Sequence, residues 1–168
     1  MTRLAQMGLV IAALIVAADL ATKALATAWL NYAEPVPVLP CFNFTLLHNT
    51  GAAFSFLAGA GGWQRWFFVV VALLICVFLG RWLLTLKPSE RWLGTALAFV
   101  LGGAIGNLYD RVVHGYVVDF IHFHWAGYHF PAFNIADSFI TIGAIMLAIH
   151  LFFFDVDADD QAEESRKS

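Results

Sequence analysis

Residues 66–86, WFFVVVALLICVFLGRWLLTL, carry one charged side chain, Arg81, in an otherwise apolar and aromatic run. A hydrocarbon core about 30 Å thick is crossed by about 20 mostly apolar residues of α-helix, so this run reads as a membrane span. Working outward, residues 7–30, 92–113 and 135–154 have the same character. The 168 residues are 61% hydrophobic and 12% charged, where a soluble domain is about half apolar and about a quarter charged. That surplus sits in the four runs, so the bilayer is the expected solvent. The formal net charge of -3 comes mainly from the last residues, and no basic stripe could track phosphates, which excludes nucleic acid as a partner.

The first run has to be weighed against a cleavable signal peptide, since Arg3 precedes it and Ala26-Thr27-Ala28 reads as a small-x-small site. It is longer than an ordinary signal core, contains Asp19 and Lys23, and is followed by three more spans. An uncleaved first helix is therefore expected. Basic residues face the cytoplasm. Arg3 precedes span one, Arg81, Lys87 and Arg91 flank the turn between spans two and three, and Arg166 and Lys167 follow span four. Loops 31–64 and 114–134 hold no Lys or Arg, with Arg65 at the edge of the first. Both termini are thus expected in the cytoplasm and both large loops outside, in the periplasm of a Gram-negative cell.

In the first outer loop, Glu34-Pro35-Val36-Pro37-Val38-Leu39-Pro40 is extended by the restrictions proline imposes. Phe42-Asn43-Phe44-Thr45-Leu46 alternates as a half-buried strand does. Gly59, Gly61 and Gly62 mark a turn, and Trp63 and Trp66 suit an interfacial belt. The second outer loop is strand-like over residues 116–124. The fold class expected is an α-helical membrane protein, four transmembrane helices with a small, cradle-like β element on the outer face. Residues 1–154 form one unit, and the acidic tail 155–168 is expected to be disordered. Asp155, Asp157 and Asp159 have calcium-loop spacing, but the required glycine and distal glutamate are missing.

An ionisable group in a span costs about 2.5–3.5 kcal/mol on insertion scales unless it is paired or faces water. Asp19 and Lys23, four apart, share a helical face and can pair, either to fix helix packing or to shape a site. Asp110 and Arg111 point different ways, so each needs a partner elsewhere. Arg111 and Asn107 fall near the outer end of span three, where they could hold a peptide backbone by its carbonyls; Arg111 could equally tie down a loop carboxylate. Gly102 and Gly106 make a G-x-x-x-G pair of the kind that packs helices closely. Asp119 lies inside an apolar outer strand and Asp137 opens span four. Folded together, two such carboxylates would share a proton. One could then take a proton from water while the other donates to a scissile carbonyl, which hydrolyses a peptide without metal, cofactor or covalent intermediate. The competing reading of Asp137 is a helix N-cap.

His122 and His124 form an H-x-H that could be a zinc pair, with His129 and His48 nearby in the loops. Their alternation with Ile121, Phe123 and Trp125 reads them instead as interfacial strand residues. Ser55 and Ser138 have no evident base. Cys41 and Cys76 differ too much in membrane depth to pair. A presenilin-type intramembrane protease, suggested by Tyr109-Asp110, needs a G-x-G-D partner that is missing. A small transporter using Asp19, Lys23 and Asp110 would be expected to show repeats, and the two halves share no motif.

Five blocks, taken in order, resemble the lipoprotein signal peptidases, the bacterial type II signal peptidases. They are Asp19-Leu20-Ala21-Thr22-Lys23, Asn49-Thr50-Gly51-Ala52-Ala53-Phe54-Ser55, the stretch from Gly102-Gly103 to Asn107-Leu108-Tyr109-Asp110-Arg111, Val117-Val118-Asp119-Phe120, and Phe133-Asn134-Ile135-Ala136-Asp137. The resemblance covers nearly the whole chain. It implies an aspartyl endopeptidase of the bacterial inner membrane that cuts diacylglyceryl-modified prolipoproteins immediately before the lipidated cysteine. Membrane lipid is then its surroundings and globomycin its family inhibitor. Asp119 and Asp137 match the catalytic dyad. Asn49, Asn107 and Arg111 match positions near the substrate backbone, and Gly51 belongs to the same block as Asn49. Asp19, Lys23, Asp110 and Asn134 match positions that support the site. Phe42, Phe44, Phe54 and Phe56 are expected to cover the substrate as a lid.

Overall fold

The structure, a computed structural model, describes residues 1–51 and 62–153. Four long helices carry the chain: α1 (Arg3–Trp29), α2 (Trp63–Thr85), α3 (Arg91–Val113) and α4 (Ile135–Phe153). Each is long and apolar enough to cross a membrane. Between α1 and α2 lie β1 (Val36–Leu39) and β2 (Phe42–Asn49), and between α3 and α4 lie β3 (Val117–Trp125) and β4 (Tyr128–His129). The expected fold class is the one observed. Helix ends differ from the apolar runs by a few residues, and at α1 a cap, not hydropathy, sets the start. The Thr2 side chain accepts a hydrogen bond from Ala5 N at 3.2 Å, so α1 begins at Arg3 and not at residue 7.

α3 is the central helix, and its composition explains why. Its mean hydropathy, 1.3, is the lowest of the four, and 56% of its most apolar window is buried; α2 has the highest, 2.6, with 11% buried. The helix least suited to lipid is the one its neighbours shield. Glycines allow the approach. A Cβ on Gly102 would lie 2.9 Å from the Ala12 carbonyl oxygen, and one on Gly106 would lie 2.5 Å from Asp19 Oδ2. The G-x-x-x-G pair therefore seats α3 against α1. In the half of the bundle away from the sheet, Leu79, Leu83, Leu86, Leu93, Leu97 and Leu101 close an apolar core with Ala12. Among the described residues, the buried charged side chains Asp19, Lys23, Asp110 and Asp119 occupy the other half.

The strands form one antiparallel sheet in the order β1-β2-β3-β4. β2 runs past the expected Leu46 to Asn49, which pairs with Val117, and Leu47 stands opposite Asp119. The register shifts between Phe44 and Leu47. β3 turns into β4 through Ala126 and Gly127, both at positive φ, as a two-residue hairpin turn demands. After β4 the chain returns to β3: Phe133 and Ile121 exchange backbone hydrogen bonds of 2.9 and 3.0 Å. That return fixes where α4 starts, two residues beyond Phe133 and against the Asp119 strand. The tail 155–168 and the segment 52–61, with Ser55, Gly59 and Gly61, lie outside the described residues.

Candidate active site

The start of α4 is organised by Asn134, which is fully buried. Its Oδ1 accepts a hydrogen bond from Asp137 N at 2.9 Å. Asp137 Oδ2 in turn accepts one from Asn134 N at 3.3 Å. This reciprocal pair is a capping box. The cap is therefore Asn134, and Asp137 stands at the third helical position, not at the N-cap. Capping uses only the Asn134 oxygen. Its amide nitrogen faces Asp119 Oδ1 at 2.8 Å, with the Val118 carbonyl and Asn107 Oδ1 each at 3.2 Å. One side chain thus touches both aspartates.

The second carboxylate oxygen of each aspartate has its own amide donor. Asn107 Nδ2 donates to Asp137 Oδ1 at 2.7 Å, and Asn49 Nδ2 donates to Asp119 Oδ2 at 3.2 Å. Asn49 Oδ1 is held by Gly51 N at 3.0 Å. Asp119 is 3% exposed. Burial strips water from its carboxylate and the charge of Asp137 opposes its ionisation, so its pKa is raised to about 7 against the donors Asn49 and Asn134 and the more distant Lys23.

Beneath the aspartates, Lys23 is the centre of a buried charge cluster. Its ammonium lies 2.7 Å from Asp19 Oδ2 and 2.9 Å from Asp110 Oδ2, and donates to Asn107 Oδ1 at 3.0 Å. Three donor protons meet three acceptors. The remaining Asp19 oxygen accepts from Ala136 N at 2.9 Å, and Asp110 Oδ2 also accepts from Val118 N at 3.0 Å. The two readings of Asp19 and Lys23, helix packing and site shaping, therefore coincide. The same cluster holds the start of α4, the start of β3 and the orientation of the Asn107 amide.

Arg111 donates to the Asn107 carbonyl at 3.3 Å and to the Gly51 carbonyl at 3.1 Å, with its guanidinium over the Phe68 ring. Its loop partner is a carbonyl and not a carboxylate. Arg65, legible in the sequence only as a charge at a loop edge, donates to the Arg111 and Val112 carbonyls at 2.8 Å each and closes the end of α3. No spacing rule links residues so far apart in the chain.

Asp119, Asp137, Asn49, Asn107 and Arg111 line one cavity of about 1010 Å³, which runs from Ile140 and Ile142 on α4 to His122 and His129 on the hairpin. Phe42 and Phe44 pack in the sheet against Phe123 and Phe120, and neither lines this cavity. Phe54 and Phe56 lie outside the described residues, so the lid expectation has no support from Phe42 and Phe44. The nearest ring nitrogen to His122 is on His129, across the hairpin, at 3.2 Å, and not on His124. The two cysteines are free. A carboxyl group that titrates near neutrality, beside a second carboxylate in a cavity, can hold and exchange a proton with a bound substrate.

The family model described as signal peptidase (SPase) II matches residues 11–153. A lipoprotein signal peptidase of Acinetobacter baumannii is 54% identical over 149 residues, covering 89% of this chain and 84% of that protein. One of Ectopseudomonas mendocina is 54% identical over 157 residues, covering 92% and 93%. A solved structure described as a bacterial membrane enzyme, determined by the in meso method at 2.3 Å, superposes with a TM-score of 0.78 at 34% identity over 87% of both chains. With its family match running from within α1 through the sheet to the end of α4, the chain belongs to the signal peptidase II family and is a membrane-spanning peptidase.

Proposed function

We propose that the chain removes signal peptides from prolipoproteins whose lipobox cysteine carries diacylglycerol, cutting before that cysteine, with Asp119 and Asp137 as an aspartyl dyad. The observation that carries this reading is the Asn134 bridge: one buried side chain caps the helix of Asp137 and donates to Asp119. Two carboxylates held that way, on the wall of one cavity, are placed to act as a unit.

The raised pKa of Asp119 supports a division of labour at neutral pH. Asp119 carries the proton and gives it to the scissile carbonyl oxygen, while the Asp137 carboxylate takes a proton from the attacking water. Collapse of the tetrahedral intermediate breaks the C–N bond, with Asp137 returning its proton to the departing amine. The products are the signal-peptide carboxylate and the free amine of the lipidated cysteine. Asn107 and Arg111 orient the substrate backbone, and Asp19, Lys23 and Asp110 hold the frame. The Ile140 and Ile142 end of the cavity lies on a helix whose Ile142 is well exposed in the bundle, which suits a substrate whose acyl chains stay in lipid. On this reading the termini are cytoplasmic, the cavity faces the periplasm, and globomycin inhibits by occupying the cavity.

The test is cleavage of a diacylglyceryl-modified prolipoprotein by the purified chain and by its Asp119→Asn and Asp137→Asn variants. Both variants should lose processing. Continued cutting by either removes that residue from the dyad, and equal cutting of unmodified precursor removes the lipid requirement.

A further inference from the structure

We propose that His122 and His129 form a site for a late first-row divalent cation, zinc above all, on the wall of the cavity, and that filling it slows the peptidase. The inhibitory half rests on the proposed function; the binding half does not.

The geometry starts from two nitrogens. His122 Nε2 and His129 Nδ1 lie 3.2 Å apart. Two imidazole ligands at tetrahedral angles and metal–nitrogen distances of about 2.0–2.1 Å have donor atoms about 3.3 Å apart. The pair can therefore accept an ion with little movement. In the metal-free state one proton lies between the nitrogens. Its transfer to the other nitrogen of whichever ring carries it frees both lone pairs without net proton release. His122 is already oriented for this role. Its Nδ1 stands 3.1 Å from Thr45 Oγ1, and a ligating histidine characteristically anchors its second nitrogen in that way.

A plain hydrogen-bonded pair would leave one observation unexplained. His124 Nε2 is buried and has no hydrogen-bond partner among the described residues, although its ring stacks on His129 with centroids 5.6 Å apart. An orphaned buried nitrogen calls for a water or an ion. The His124 ring centroid also lies 6.1 Å from that of His122, so this unsatisfied nitrogen belongs to the same corner of the hairpin as the proposed ligands. Among the described residues no group of three or more His, Cys, Asp or Glu side chains is arranged to hold a metal, so the site has two protein ligands and open positions. Such a site binds reversibly and does not staple the fold. Imidazole selects zinc, copper or nickel over magnesium and calcium, which prefer oxygen. Because both histidines line the cavity that holds Asp119 and Asp137, a bound cation narrows the space a peptide needs.

The experiment uses the full chain, purified through a tag without histidine and held in detergent micelles. Zinc binding is measured by calorimetry. Cleavage is measured against zinc concentration, each variant being normalised to its own zinc-free rate. Wild type should bind one zinc ion and slow as it fills, whereas magnesium should do neither. His122→Gln and His129→Gln should each abolish the binding heat, and Thr45→Val should weaken binding about tenfold. A chain with both Asp119→Asn and Asp137→Asn should still bind. If the histidine variants bind as tightly as wild type, or if only the doubly aspartate-substituted chain loses binding, the proposed site is wrong. Binding without slowing overturns the inhibitory half alone. A chain that cleaves nothing but binds zinc refutes the proposed function and leaves the site standing.

Discussion

Replacing Asp119 with asparagine should change stability by an amount that depends on pH, and the dependence can be worked from the buried carboxyl. Asp119 has an ordinary value of 3.8 when solvated and about 7 in the folded chain. Above pH 3.8 the unfolded chain gives up this proton, while the folded chain keeps it until about 7. Folding therefore takes up a proton across that window, and stability falls as pH rises through it. Each unit is worth about 1.36 kcal/mol, so ionised Asp119 costs about 4 kcal/mol above the window. Asparagine escapes that cost but cannot accept at both ends. Asn49 and Asn134 each donate to the carboxylate, so one would face an amide NH2, a loss of about 1 kcal/mol at any pH. Between pH 5 and pH 8 the variant should thus gain about 2.5 kcal/mol on wild type, from the two units below 7. Thermal or denaturant unfolding in micelles at the two pH values reads it. A difference between variant and wild type that stays constant from pH 5 to pH 8 would refute the elevated Asp119 value.

Three further outcomes follow from the same contacts. Asn49→Ala removes a donor that favours ionised Asp119, so the alkaline limb of kcat/KM should move to higher pH; an unmoved or lowered limb, followed with the lipidated substrate, contradicts the assignment of the proton to Asp119. Gly106→Ala should destabilise by about 1–3 kcal/mol, because the new Cβ lies 2.5 Å from Asp19 Oδ2, whereas Gly80→Ala, with nothing within 4 Å, should not; unfolding midpoints compare the two. Lys23→Met should cost about 3–5 kcal/mol by leaving Asp19 and Asp110 buried without their cation, and adding Asp19→Asn and Asp110→Asn should recover a good part of it.

Which parts of this architecture could be read in advance depends on the range over which a rule acts. The spans were legible because the bilayer judges each run by itself, and 66–86 has little but apolar side chains. The strands were legible where alternation is strict, less so past Leu46, where the register shifts. Asp19 and Lys23 could be paired by helical spacing alone. What spacing does not reach is Lys23 on Asn107, 84 residues away, or Asp19 on Ala136, 117 residues away. The histidines show the same limit: H-x-H pointed along the strand, while the nitrogen contact runs across the hairpin to His129.

Asn134 joins the two ranges in one side chain. Its oxygen obeys a local rule, capping the helix three residues ahead, and that half follows from Asn134 preceding Asp137 by the right interval. Its nitrogen is left over once the cap is made, and a fully buried amide cannot leave a donor idle without a cost of about 1–3 kcal/mol. The return of Phe133 onto β3 sets that donor beside Asp119. Satisfying the cap and satisfying the leftover amide are therefore one packing problem, and its solution brings the two aspartates together. A side chain that can cap but has no second donor, such as Ser or Asp at position 134, would keep the helix and lose the bridge. The helix start and the aspartate pairing can thus be separated by substitution at a single residue, although the native fold makes them inseparable.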